Sequence, residues 1–190
     1  MTEVIYATGN KDKFTQARHV CGPAGITLIQ RSLNVPEVQS DDAVVIARDK
    51  AAKAYERFQQ PVVISDDSWA IPGLGGFPGP YMKYVNDWFS VDDWLNLTRP
   101  LADRTIILKQ VVAFIDGDET RIFSRDLEGQ LLTESRGESS YPHTHIVSFD
   151  GGKHTNAEYH ARQESATGHL PNVWHDFAKW YQAEKSSRQA

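Results

Sequence analysis

Cysteine is almost missing from this chain. Cys21 stands alone among 190 residues, so no internal disulfide can form, and its helical spacing behind Phe14 and Ala17 marks it as a small core residue rather than a nucleophile. A basic excess is missing too. Twenty Lys and Arg against 25 Asp and Glu leave a net charge of −5, which excludes the cationic coat that binding a polyanionic duplex requires, so no nucleic-acid polymer is expected as a partner. No apolar run approaches the roughly 20 residues that span a bilayer. Met1-Thr2-Glu3 lacks the basic start of a secretory signal, and a soluble, cytoplasmic chain with no membrane partner is the expectation.

Material for a core is plentiful. Hydrophobic residues make up 40% of the chain, and five Trp, seven Tyr and eight Phe supply the bulk, whereas chains that stay disordered are poor in these types. The length suits one bilobed domain over residues 1–184, with a flexible polar tip over 185–190.

Val4-Ile5-Tyr6-Ala7 is a short apolar run that stops at Thr8-Gly9-Asn10, after which Phe14, Ala17, Val20 and Cys21 recur at helical spacing. Strand, tight turn and helix therefore open the chain. Val44, Ala47, Ala51, Ala54 and Phe58 follow a second helical period, closed by Gln60-Pro61 before the strand Val62-Val63-Ile64. Four glycines and two prolines between Gly73 and Pro80 predict an ordered loop. One amphipathic helix is predicted from Val85 through Trp88, Phe89, Val91, Trp94 and Leu95, ending near Pro100. β-branched residues over 105–115, Asp116-Gly117 and the return of Arg121-Ile122-Phe123 read as a hairpin. Trp174, Phe177, Trp180 and Tyr181 form the docking stripe of a terminal helix. The predicted class is α/β, a mixed, partly antiparallel central sheet flanked by helices, in two lobes with a cleft between them.

Several residues stand where chemistry is done. Thr8-Gly9-Asn10 lies between a strand and a helix start, where unpaired N–H groups and the helix dipole favour an anion. Lys11 and Lys13, placed against the dipole, suit an arriving phosphate, although the same triplet also reads as a plain turn with an N-cap. Asp66 and Asp67 follow Val62 to Ser65 directly, at the strand end where open α/β sheets bind ligands. Two neighbouring carboxylates are well served by a hard cation such as Mg²⁺, and an Asx turn is the alternative. Glu37 and the pair Asp41-Asp42 offer further oxygen ligands, or an Asp there starts the next helix. Lys50, beside that helix's apolar stripe, either snorkels to solvent or reaches a site. His143-x-His145 on a strand would put two imidazoles on one face, a spacing that suits zinc but fixes no third ligand.

These residues resemble a known pattern, that of the Ham1-like inosine triphosphate pyrophosphatase family. Thr8-Gly9-Asn10 with Lys13 is similar to its opening T-G-N-x-x-K; Pro36-Glu37-Val38-Gln39 to the loop whose Glu helps bind metal; and Ala47 with Lys50 to a helical motif with a phosphate-contacting Lys. Ser65-Asp66-Asp67-Ser68 and the run Leu74 to Lys83 resemble its acidic turn and its L-G-G-x-P-G-P-Y-x-K loop. Gly129, Arg136-Gly137 and Asp150-Gly151, Thr155, Ala157-Glu158 resemble later segments. The resemblance implies hydrolysis of a nucleoside triphosphate to monophosphate and pyrophosphate. It implies Mg²⁺ as cofactor on Glu37 and Asp67, with Asp66 or Asp67 on the water and Lys13, Lys50 and Lys83 on the phosphates. A homodimer is also implied, with segment 84–95 readable as interface or as core. Ser140-Tyr141-Pro142-His143-Thr144-His145 stands where the family has G-F-G-Y-D-P, and Glu164 and Gly168-His169-Leu170 stand where it has a Lys and S-H-R. Tyr141 and His169 are thus the expected base contacts, and altered base selectivity is expected. The rival reading is a nucleotide-binding or sensing protein derived from such an enzyme.

Overall fold

The computed structural model describes residues 3–162, 164–168 and 170–187. In chain order its elements are β1 (Glu3–Ala7), α1 (Lys11–Cys21), β2 (Thr27–Arg31), α2 (Ala43–Phe58), β3 (Val62–Ile71), β4 (Phe77–Gly79), α3 (Met82–Trp88), α4 (Val91–Thr98), β5 (Thr105–Ile115), β6 (Thr120–Leu131), β7 (Val147–Ser148), α5 (Asn156–Ala161) and α6 (Val173–Ser187). The fold is mixed α/β. Its sheet runs β2-β1-β3-β5-β6-β7, with β4 paired to β3. β1 is parallel to β2 and β3, whereas β3–β4 and β6–β7 are antiparallel. Among the described residues no helix is long and apolar enough to cross a membrane. The chain divides into two compact units, one of residues 1–66, 110–125 and 172–190, the other of 67–109 and 126–171.

Period-two alternation builds the first unit. Val4 and Tyr6, Val63, Val112 and Phe114 pack with α1 and α6. Ile5 and Ala7, Val62 and Ile64, Val111 and Ala113 face the other way and pack against Ala43, Ala47, Ala51 and Ala54 of α2. An alanine stripe lets the α2 backbone lie close to the sheet, so side chains flanking the stripe reach the strands. Cys21 is fully buried and its thiol is pushed up to about 12 by that burial, in keeping with a packing role. In the second unit Trp94, Ile106, Leu131, Ile146 and Phe149 share one core with Ile71, Met82 and Val85.

Three expectations need correction. β3 does not stop at Ser65 but runs on to Ile71, because Trp69, Ala70 and Ile71 find partners in Gly79, Pro78 and Phe77. Asp66 and Asp67 therefore sit inside a strand, and neither a strand end nor an Asx turn describes them. The loop over 73–80 contains a 3-10 turn at Pro72–Leu74 and β4, with Gly75, Gly76 and Gly79 at positive φ. The single helix expected after Val85 is two: Phe89 is extended, and Ser90 starts α4 with a capping box, its hydroxyl accepting the Asp93 N–H while the Asp93 carboxylate accepts the Ser90 N–H. α6 runs to Ser187, and residues 188–190 of the expected tip lie outside the described ones.

Candidate active site

The opening turn serves first as a helix cap. Asn10 Oδ1 accepts the N–H of Asp12 at 2.9 Å and of Lys13 at 3.0 Å, and Thr8 Oγ1 accepts that of Asn10. Two of the donors that a helix start leaves unpaired are thereby committed. Gly9 and Asn10 are exposed, and Thr8 and Lys13 are half-buried. The side chain of Gln30 on β2 donates to the Thr8 carbonyl at 3.2 Å and ties the turn to the sheet.

Parity explains the next group. Val62 and Ile64 face α2, and Asp66 continues the same series. Its carboxylate meets Lys50, which flanks the alanine stripe one residue before Ala51, with Nζ donating to Asp66 Oδ2 at 2.9 Å. The same Nζ lies 2.9 Å from Glu37 Oε1. Lys50 therefore turns to these two carboxylates rather than snorkelling outward. Burial works against its ammonium, but the charge of Asp66 and hydrogen bonds to Asp66 and Glu37 outweigh that penalty and hold its pKa above the ordinary lysine value. Asp66 and Lys50 are mostly buried, whereas the Glu37 side chain is 62% exposed on its loop. What places Glu37 is a residue that the sequence pattern did not single out. Lys53, three positions beyond Lys50 on α2, donates to the Pro36 carbonyl at 2.7 Å and pairs with Asp49 at 2.7 Å. Asp42 caps α2 by accepting the Val44 N–H, which settles its role as a helix start.

Two carboxylates gathered 2.9 Å from one cationic centre form an all-oxygen donor set of the kind a hard dication uses. Among the described residues no group of three or more His, Cys, Asp or Glu is arranged to hold a metal. Mg²⁺ does not need one, since it keeps several waters and is commonly held by one or two carboxylates together with substrate phosphates. The residues fit such an ion.

In the second unit Asp67 is half-buried on β3 and Lys83 is exposed in the first turn of α3. Tyr141 is 51% exposed and precedes a 3-10 turn over Pro142–His145. That turn removes the zinc reading, which needed a strand. His143 is buried edge-on against Trp69, and its Nδ1–H donates to Asn86 Oδ1 at 2.9 Å, while His145 Nε2–H donates to the Ser139 carbonyl at 3.1 Å. Burial, aided by the nearby charges of His160 and His145, pushes the His143 pKa down to about 3, so it is a neutral core imidazole at physiological pH. His169 lies outside the described residues.

Asp150 is a carboxylate hub. Asp150 Oδ1 accepts from Ser148 Oγ at 2.8 Å and the His154 N–H at 3.0 Å; Oδ2 accepts from His154 Nδ1–H at 2.8 Å and the Tyr159 hydroxyl at 3.0 Å. Burial opposes the charge, yet these donors, led by the His154 backbone, hold the carboxyl well below the usual range. Thr155 caps α5 through a capping box with Glu158, and α5 packs against the 142–145 turn.

The sequence profile of the Ham1 family matches residues 4–180. The dITP/XTP pyrophosphatase of Methanopyrus kandleri is 30% identical over 187 residues, covering 98% of this chain and 100% of that protein. The dITP/XTP pyrophosphatase of Methanosarcina mazei is 29% identical over 182 residues, covering 95% and 98%. Among solved structures, a HAM1 protein from Coxiella burnetii aligns with a TM-score of 0.80 at 19% identity over 96% of this chain and 100% of that one. The Ham1 protein of Staphylococcus aureus gives 0.75 at 20% identity, over 96% and 99%. At those identities the structural likeness is one of fold.

Proposed function

This chain belongs to the Ham1 family, and from that membership we propose that it is a nucleoside triphosphate pyrophosphohydrolase acting on deaminated purine nucleotides, the activity its relatives are named for. Such a hydrolase converts the triphosphate to a nucleoside monophosphate and pyrophosphate. The observation that carries the reading is the bridge from Lys50 to Glu37 and Asp66, which gathers at one point the carboxylates and the cation that phosphoryl transfer demands. Mg²⁺ is the cofactor in this reading, held by Glu37 and Asp67; when bound it polarises phosphate oxygens and acidifies coordinated water.

The residues then divide the work. Asp66 or Asp67 orients the attacking water and takes its proton as the oxygen bonds to the α-phosphorus. The bridging bond to the β-phosphate breaks, and Lys13, Lys50 and Lys83 neutralise the charge gathering on the departing pyrophosphate. Thr8, Gly9 and Asn10 line the phosphate end, and Tyr141 and His169 contact the base. Thr144, Glu164 and Leu170 replace the Asp, Lys and Arg of the family pattern, so base selectivity differs from that of a typical member.

A cytoplasmic nucleotide pool and a homodimer complete the reading. Within 84–95, Val85, Trp94 and Leu95 are buried, while Tyr84 and Trp88 are exposed and lie 6.2 Å apart ring to ring, which supports an apolar contact face beside a core face. The test is a pyrophosphate-release screen over inosine, xanthosine, adenosine, guanosine and pyrimidine triphosphates with Mg²⁺. Release from at least one substrate is expected. Nucleotide binding without release from any of them would favour the sensing protein instead.

A further inference from the structure

We propose that Lys50 is the resident counter-ion of Glu37, a ligand in the metal reading, and of its neighbour Asp66, a placeholder that a divalent cation on Glu37 must displace, so that metal and triphosphate enter this site together. The inference rests on the reading of Glu37 as a metal ligand. A single Nζ stands 2.9 Å from both Glu37 Oε1 and Asp66 Oδ2, which is the position of a cation shared between two acids. A dication that ligates Glu37 comes close to the atoms that hold this ammonium, at about 2.0–2.1 Å from a ligating oxygen. An ammonium held on the same atoms would then lie within a few ångströms of two positive charges, a repulsion that even a high local dielectric does not remove.

The surroundings allow the exchange. Lys50 has an unbranched, freely rotating stem on α2, and the triphosphate brings anionic oxygens to receive its ammonium. The loop backbone next to Glu37 has a tether besides Lys50, because Lys53 holds the Pro36 carbonyl and is itself held by Asp49. The loop can therefore keep its carboxylate in position while the ammonium leaves. In the nucleotide-free protein the metal competes with a tethered cation and binds weakly; once phosphate takes Lys50, metal affinity rises. By linkage, metal raises nucleotide affinity by the same factor.

The test uses Mn²⁺ as the probe, with binding to the full-length, nucleotide-free protein followed by electron paramagnetic resonance. Lys50→Met keeps the stem and removes the charge, and should bind Mn²⁺ about 10-fold more tightly than the parent, or better. Unchanged or weaker Mn²⁺ binding by the folded variant overturns the exchange. Should that variant not fold, Lys50→Gln replaces it. A magnesium titration of the unmodified protein, with lysine Nζ labelled with nitrogen-15, supplies an independent reading. Displacement predicts that the Lys50 ammonium signal shifts or is lost as the metal saturates, and a signal unmoved at saturation overturns the proposal. Glu37→Gln separates the two levels of inference. If it abolishes the gain in the Lys50→Met background, metal and ammonium share Glu37; if the double variant keeps the gain, Glu37 is not a ligand and the underlying reading fails. Weaker binding by Glu37→Gln alone, with no gain from Lys50→Met, leaves the metal site standing and removes the exchange.

Discussion

Replacing Asp150 by Asn removes one acceptor oxygen from a carboxylate that serves four donors. Ser148 Oγ, the His154 N–H, His154 Nδ1–H and the Tyr159 hydroxyl converge on it, and the side chain is 12% exposed. An asparagine can keep one pair of donors on its carbonyl oxygen, but its amide N–H₂ then opposes the other pair. Hydrogen bonds to a charged group are worth about 1.5–3 kcal/mol each. The 42% exposure of His154 lets water take part of the load, so the low end applies and Asp150→Asn should cost about 2–3 kcal/mol at pH 7. Urea unfolding followed by tryptophan fluorescence measures this directly. The sign with pH is fixed by the direction of the shift. A carboxyl whose folded pKa lies below its ordinary value of 3.8 contributes fully above the unfolded pKa and loses that contribution as pH falls towards the folded one. The gap between parent and variant should therefore be constant above about pH 5 and narrow below it. Because α5 packs on the turn that follows Tyr141, the variant should also raise KM more than it lowers kcat. A cost under about 0.5 kcal/mol, or a gap indifferent to acid, would refute the assignment of Asp150 as the hub of this loop.

Three further outcomes are expected. Asp67→Asn keeps the shape of the side chain but removes its charge and should lower Mg²⁺-dependent turnover about 100-fold or more, measured as pyrophosphate release by a variant with parental melting temperature. Lys13→Ala should weaken triphosphate handling with little change in melting temperature, since a lysine in the first turn of a helix stands against the helix dipole; parental kinetics with a much lower melting point would make Lys13 structural. Comparison of kcat/KM across the triphosphate panel should show a relaxed or shifted preference, and a full preference for inosine and xanthosine triphosphates would mean that residues other than Thr144, Glu164 and Leu170 choose the base.

Periodic features were legible and long-range ones were not. The alanine spacing of α2 and the hairpin at Asp116-Gly117 follow from local rules, and both elements are present. β3 was cut short because two aspartates are poor strand formers, and only its pairing with β4 carries it past them. Ser90-x-x-Asp93 is a capping box written in the sequence, yet the continuous apolar spacing around it reads as one helix. His143 looked like a ligand by spacing alone, and its burial beside Trp69 and Asn86 depends on contacts more than fifty residues away in sequence. Glu37, Lys50 and Asp66 were each named as candidates, but nothing local joins them. Their meeting needs strand parity, the approach of α2 allowed by its alanines, and Lys53, an unremarked surface lysine, on the Pro36 carbonyl.

The division of the chain bears on how this protein can change over generations. Each compact unit is gathered from separate stretches of sequence, three for one and two for the other, and the first of the four passages between them falls inside β3, between Asp66 and Asp67. Neither unit is a continuous run of coding sequence. No single crossover or truncation can therefore separate either unit whole from the other. Substitution within a segment is the route left open to change in such a chain, and Thr144, Glu164 and Leu170, which depart from the motif the sequence resembles, are changes of that kind.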